Sequence, residues 1–129
     1  MRKTSIGARI GRVRGTVERV GGKDVWRPKI TEKVFQAQVK QAAIITGWKY
    51  YATWNSFRST EGFPDCVMIH PKKGRLLVVE LKSETGQLTE KQAEWLDDFR
   101  AAGVEVHMWR PSDFDVAWKI LNGEKNKKD

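Results

Sequence analysis

Leu76-Leu77-Val78-Val79-Glu80-Leu81-Lys82 is the stretch whose reading decides the fold. Its aliphatic, partly β-branched run reads as a buried strand, led by the turn Pro71-Lys72-Lys73-Gly74. Side chains alternate along a strand, so Glu80 and Lys82 share one face while Val79 and Leu81 share the other. Two charged residues on one face of an apolar strand are costly unless paired, hydrated or bound to an ion. Fourteen residues separate Glu80 from Pro64-Asp65, at the start of the preceding apolar run. If those strands pair, Asp65 and Glu80 converge at one rim of a sheet, with Lys82 beside them.

Outward from this pair, the chain reads as helix, three strands, helix, strand, helix. Thr31 and Glu32 open the first helix, which Gly47 stops, and Phe35, Val39 and Ala42 or Ala43 fall at core spacing. Trp48 to Trp54 and Phe63 to His70 read as strands preceding the one that ends at Lys82. Thr89-x-x-Gln92 forms a capping box, with Leu88 and Ala93 as its hydrophobic staple. The helix it starts turns Leu96 and Phe99 inward. Val104 to Trp109 is the fourth strand. A last helix starts near Ser112-x-x-Asp115, with Val116, Ile120 and Leu121 on its inner side. A strand reached through a helix can lie parallel to an earlier one, so the fold class is α/β, a mixed central sheet flanked by helices.

The 129 residues suit one domain with a real core. No stretch reaches membrane-spanning length and the polar start lacks a secretory signal. The single cysteine, Cys66, excludes an intramolecular disulfide, and no Cys/His cluster has zinc spacing. These features point to an intracellular protein. The net charge of +8 is concentrated near the start. Residues 1–31 hold nine Lys and Arg against Glu18 and Asp24, whereas residues 32–121 hold twelve basic and twelve acidic residues. Residues 1–30 thus read as a basic, glycine-containing arm with one short hairpin around Gly21-Gly22. Residues 31–121 are the domain, and 122–129 a lysine-rich tail. Arg9, Arg12, Arg14, Arg19 and Lys23 in the arm are candidates for salt-sensitive, sequence-independent contact with nucleic-acid phosphates. Arg58, in the loop before Asp65, could bind a phosphate beside the site. Trp26 is the candidate for stacking on a base or docking onto the domain.

Paired carboxylates suit a hard divalent ion such as Mg2+, which keeps several waters for a phosphate to replace. Lys82 could position or deprotonate a water, or offset charge at phosphorus. The same pattern also fits an ordinary strand end with Glu80 and Lys82 paired and solvated.

Gly62-Phe63-Pro64-Asp65, Val79-Glu80-Leu81-Lys82, Gly86-Gln87-Leu88-Thr89-Glu90-Lys91-Gln92 and the run Ala102 to Pro111 resemble the virus-type replication-repair nuclease (VRR-NUC) family, a branch of the PD-(D/E)XK nucleases. The resemblance covers roughly residues 31–121. It implies a restriction-endonuclease-like core and Mg2+- or Mn2+-dependent hydrolysis of DNA phosphodiesters. Branched DNA such as four-way junctions is the implied substrate, and a homodimer the implied assembly. By position, it makes Asp65 and Glu80 metal ligands, the Leu81 carbonyl a further ligand, and Lys82 the catalytic lysine. Glu32 and Gln92 match residues placed near the metal, although a helix dipole would also account for Glu32 and the capping box for Gln92. A compact phage or prophage protein fits the chain. Two other readings remain open: a non-catalytic DNA-binding module, and a nuclease subunit that needs a helicase or another replication-repair partner.

Overall fold

The computed structural model describes residues 3–10, 13–53 and 60–123. The chain divides into two compact units, Met1–Thr31 and Glu32–Asp129.

The first unit holds more regular structure than the single hairpin expected of it. Strands β1 (Lys3–Ile10), β2 (Val13–Val20) and β3 (Lys23–Pro28) form an antiparallel sheet in the order β1-β2-β3. Gly21 and Gly22, with φ of 56° and 77°, make the two-residue turn between β2 and β3. Positive φ at both positions matches the twist of the flanking strands, and glycine adopts it without steric cost. Trp26 packs against Gly15 of the neighbouring strand, where an added Cβ would lie 2.6 Å from the indole ring. The tryptophan is thus committed to its own sheet.

In the second unit, α1 (Glu32–Ile45) buries Phe35, Val39, Ala42 and Ala43, the stripe that its 3.6-residue periodicity dictates. Strands β4 (Lys49–Ala52), β5 (Cys66–His70) and β6 (Arg75–Leu81) follow, then α2 (Glu90–Ala101), β7 (Glu105–Trp109) and α3 (Phe114–Leu121). The sheet runs β4-β5-β6-β7. β4 and β6 both lie antiparallel to β5, and β7, reached through α2, lies parallel to β6. Helix α1 packs on β4, β6 and α3, while α2 packs on β7. This mixed sheet flanked by helices is the restriction-endonuclease-like core.

β6 is the central strand in burial as well as function. Every residue from Leu77 to Leu81 is buried, including Glu80 at 1% exposure. On β5 the alternation is clean: Cys66, Met68 and His70 are buried, and Ile69 is exposed. Thr89 and Gln92 form the expected capping box, Thr89 Oγ1 accepting from the Gln92 N–H at 3.1 Å and Gln92 Oε1 from the Thr89 N–H at 3.0 Å.

The last helix departs from its sequence reading. A 3-10 turn over Pro111–Asp113 precedes it, so α3 starts at Phe114. Ala117 and Leu121 are its buried residues, and Val116 is 56% exposed. The extra turn rotates the helix relative to a start at Ser112, which carries Val116 out of the core.

Candidate active site

Asp65 and Glu80 stand directly across from each other, one step beyond the Cys66–Val79 pair of the β5–β6 ladder. The Asp65 N–H donates to Glu80 Oε1 at 3.1 Å, and the Leu81 N–H donates to Asp65 Oδ2 at 2.8 Å. Each carboxylate thus receives a backbone N–H from the opposite strand. Lys82 Nζ lies 3.6 Å from Glu80 Oε2, as two residues on one strand face allow.

Contacts from the residue after β4 and from α2 fix the segment that carries Asp65. The Thr53 N–H donates to the Asp65 carbonyl at 2.8 Å, and Thr53 Oγ1 donates to the Pro64 carbonyl at 2.8 Å. Phe63 packs edge-on against Trp95 and Phe99 of α2, with centroids 5.1 and 5.9 Å apart. Trp95 Nε1 also donates to the Glu61 carbonyl at 3.2 Å. Gly62 makes this approach possible: its φ is +85°, and an added Cβ would lie 2.6 Å from the Lys91 carbonyl carbon. Gly62→Ala should therefore displace Pro64-Asp65. Misplacing a reacting group by about 1 Å costs on the order of 100-fold. Single-turnover cleavage by the variant should fall by roughly that factor while Glu80 and Lys82 stay intact; unimpaired turnover would mean that the loop does not position Asp65.

On the other side of the site, the Lys82 N–H donates to the Trp109 carbonyl at 3.0 Å. Arg110 Nη1 donates to the carbonyls of Ser83 at 2.6 Å and Glu84 at 3.3 Å. The Ser112 N–H donates to Glu84 Oε1. The chain leaving Lys82 is therefore latched to the β7–α3 connection. Neither this latch nor the Phe63–Trp95–Phe99 clamp was singled out from sequence, although Phe63 and Arg110 both lie within the quoted motifs.

The electrostatics are those of a cation site. Burial, reinforced by the Asp65 charge, pushes the Glu80 carboxyl well above the ordinary carboxylate range, against a smaller lowering by Lys82. Glu80 Oε2 is buried without a hydrogen-bond partner among the described residues, its nearest counter-charge being Lys82. A buried carboxylate oxygen left over beside a second carboxylate is a donor waiting for a cation. The N–H and C=O of one strand residue point to the same edge, so the Leu81 carbonyl lies on the Asp65 side. Among the described residues no group of three or more His, Cys, Asp or Glu side chains forms a metal cage. Two carboxylates and one carbonyl suit a hard ion that keeps part of its water shell. The residues present fit a divalent cation.

Glu32, the first residue of α1, is exposed, and among the described residues no hydrogen bond or ion pair ties it to Asp65 or Glu80. Gln92 commits its Oε1 to the cap. Arg12 and Arg58 lie outside the described residues, as does the side chain of Arg9. Arg14 and Lys23 are exposed, and Arg19 pairs with Asp24 at 2.9 Å. Cys66 is buried, its thiol pushed up to about 12, chiefly by burial, and placed 3.7 Å from the Val79 carbonyl. A thiol held neutral in this way is no nucleophile. His70 is buried edge-on against Trp48, and His107 bonds Glu105 at 2.9 Å and stacks on Trp109, so both are engaged by structural neighbours.

The mixed sheet, with its strand order β4-β5-β6-β7 and flanking helices, is a restriction-endonuclease-like fold. The family model for the VRR-NUC domain matches residues 29–112, more than half of the chain, and the chain belongs to this nuclease family. Among solved structures, a VRR_NUC domain protein aligns with a TM-score of 0.52 and 14% identity, over 72% of this chain and 91% of that one. Hjc of Archaeoglobus fulgidus, a Holliday junction resolvase, aligns with a TM-score of 0.45 and 22% identity, over 60% of this chain and 66% of its own. No curated protein matches the chain. Among the described residues no helix is long and apolar enough to cross a membrane.

Proposed function

We propose that the protein is a divalent-cation-dependent DNA endonuclease that hydrolyses phosphodiester bonds, acting on branched DNA such as four-way junctions. The observation that carries this reading is the pair of carboxylates, Asp65 and Glu80, cross-linked through each other's backbone and flanked by the Lys82 ammonium. Branched DNA is the substrate that the resemblance to the VRR-NUC family implies, and the match to that family supports it. A homodimer, as the family resemblance implies, would let two such sites address two strands.

Asp65, Glu80 and the Leu81 carbonyl would hold the cation, Mg2+ with Mn2+ as substitute. When bound, it supplies Lewis-acid polarisation of a phosphoryl oxygen and a water of lowered pKa. The protein contributes the rest. Backbone donors hold both carboxylates in place before substrate arrives, so little reorganisation is needed in the reaction. Lys82, held by Glu80, either takes a proton from the attacking water or balances the charge growing on the phosphate. Gln92, and Glu32 if it turns toward the rim, are the residues proposed to orient water there.

The test is cleavage of a labelled four-way junction and its matched linear duplex with Mg2+, Mn2+ or EDTA, by wild type and Lys82→Ala. Metal-dependent cutting of the junction, reduced on the order of 100- to 1,000-fold in the variant, is the expected outcome. Equal cutting of both DNAs would remove the preference for branches. A folded protein that cuts neither with either metal would overturn the catalytic reading.

A further inference from the structure

The register of the first unit sorts its basic residues onto two faces. Alternate residues of a strand share a face. On β2, Arg14, Thr16, Glu18 and Val20 form one set, and β3 places Arg27, Val25 and Lys23 across from the last three. Lys29 extends this set, its N–H donating to the Arg14 carbonyl at 2.6 Å. On β1, Arg9 is directly opposite Arg14. Arg9, Arg14 and Lys29 therefore form a transverse row of basic residues, about 5 Å from strand to strand, with Arg27 one row further along. The opposite face carries Val17 against Trp26, and Arg19 against Asp24.

Like charges placed directly across a sheet destabilise it. Among the described residues no ion pair to Arg14 or Lys29 relieves that cost. Glu18 is the acid in this set; it is buried and taken by Arg27, whose Nε lies 3.2 Å from its Oε2. Arg14, Arg27 and Lys29 are exposed. Arg14 and Lys29 have no ion pair among the described residues, whereas Arg19 on the other face pairs with Asp24 at 2.9 Å. A row of cations kept together without an acid needs an anion from outside.

We propose that this face, built on Arg14, Arg27 and Lys29 with Arg9 in the same row, is a sequence-independent clamp for the DNA phosphate backbone. The choice of DNA rests on the nuclease reading of the second unit. Exposed cations on a flat strand face supply counterion-release affinity and no base readout. Arg19 lies outside this clamp.

The experiment measures duplex binding by the full chain in EDTA between 50 and 200 mM salt, so cleavage plays no part. It compares wild type, the triple variant Arg14→Gln/Arg27→Gln/Lys29→Gln, and the charge-matched triple Arg19→Gln/Lys72→Gln/Lys119→Gln. Each lost phosphate contact lowers the salt slope by about 0.9, so the clamp triple should lose about 2.7. Over that salt range, the wild-type affinity then falls about 40-fold further than that of the variant. Arg14→Gln alone should unfold at no lower a temperature than wild type, because it relieves repulsion from Lys29 across the strand pair. Equal slopes for wild type and the clamp triple would overturn the proposal, as would equal losses in the two triples. So would a clamp triple that loses binding to anionic vesicles while keeping its DNA slope. Normal slopes for a wild type that never cuts would sink the nuclease reading and leave the clamp standing.

Discussion

Glu80→Gln should abolish cleavage, by about 1,000-fold or more, and at the same time make the metal-free protein more stable. The two effects have one cause. Glu80 is almost fully buried, with Asp65 across from it and Oε2 lacking a hydrogen bond among the described residues. Glutamine keeps an acceptor for the Asp65 N–H and removes the cost of burying a carboxyl there, whether as a charge or by taking up a proton. Its neutral amide is a poor partner for a hard cation, and losing one such electrostatic group costs on the order of 100- to 1,000-fold by itself. Thermal unfolding with and without Mg2+ or Mn2+ separates the contributions. Wild type should gain stability with added cation, about 2.7 kcal/mol at a concentration 100 times Kd, whereas Glu80→Gln should start higher and gain little. If the variant unfolds earlier than wild type without metal, the Glu80 carboxylate is not a strained group held for a cation.

The second large effect lies at the other end of the same strand. Arg75 donates to both Glu105 oxygens, at 3.3 and 2.7 Å, and to the Ile120 carbonyl of α3 at 3.2 Å. Its guanidinium also lies 5.3 Å from the Trp48 ring centre, and Trp48 Nε1 donates to the Leu121 carbonyl at 2.8 Å. One cation thus ties β6, β7 and the end of α3. Arg75→Met should cost about 2–3 kcal/mol, less than a fully buried pair because Glu105 is partly exposed. Urea unfolding followed by tryptophan fluorescence measures this, and a loss below about 0.5 kcal/mol would dismiss the network. Arg75 is five residues from Glu80, roughly 16 Å along the strand. Turnover of the folded variant should therefore be unchanged.

The same network sets an acid dependence. Burial raises the Glu105 carboxyl, but hydrogen bonds from His107 and Arg75 outweigh it and hold the group below its ordinary value of 4.5. A carboxylate with a lowered folded pKa stabilises the fold above its unfolded value, and that stability is lost as pH falls through the folded value. Wild type should lose stability below about pH 4.5 more steeply than Glu105→Gln.

Much of the second unit was legible in the sequence because its signals are local. Of the run Leu76–Val79, expected to be buried, Leu77 to Val79 are, whereas Leu76 at its outer end is 42% exposed; strand alternation put Glu80 and Lys82 on one side, and Thr89-x-x-Gln92 stated where α2 begins. The start of α3 was not legible. Ser112 and Asp115 offered a plausible cap, but Arg110-Pro111 begins a 3-10 turn whose geometry depends on Asp113 bonding back to the Arg110 N–H at 2.9 Å. The three-stranded sheet of the first unit was also hidden, since its strands mix charged and small residues with little apolar contrast.

By itself, the sequence determined which residue types could do the chemistry and which strand would carry two of them, because spacing along a strand fixes the facing of its side chains. Only the tertiary structure decided that Asp65 meets Glu80. That meeting needs the β5–β6 register and Gly62's close approach to α2, both set by contacts between residues distant in sequence. It also decided the distribution of charge in the first unit, where composition gives a count of cations and cross-strand pairing determines which of them stand together.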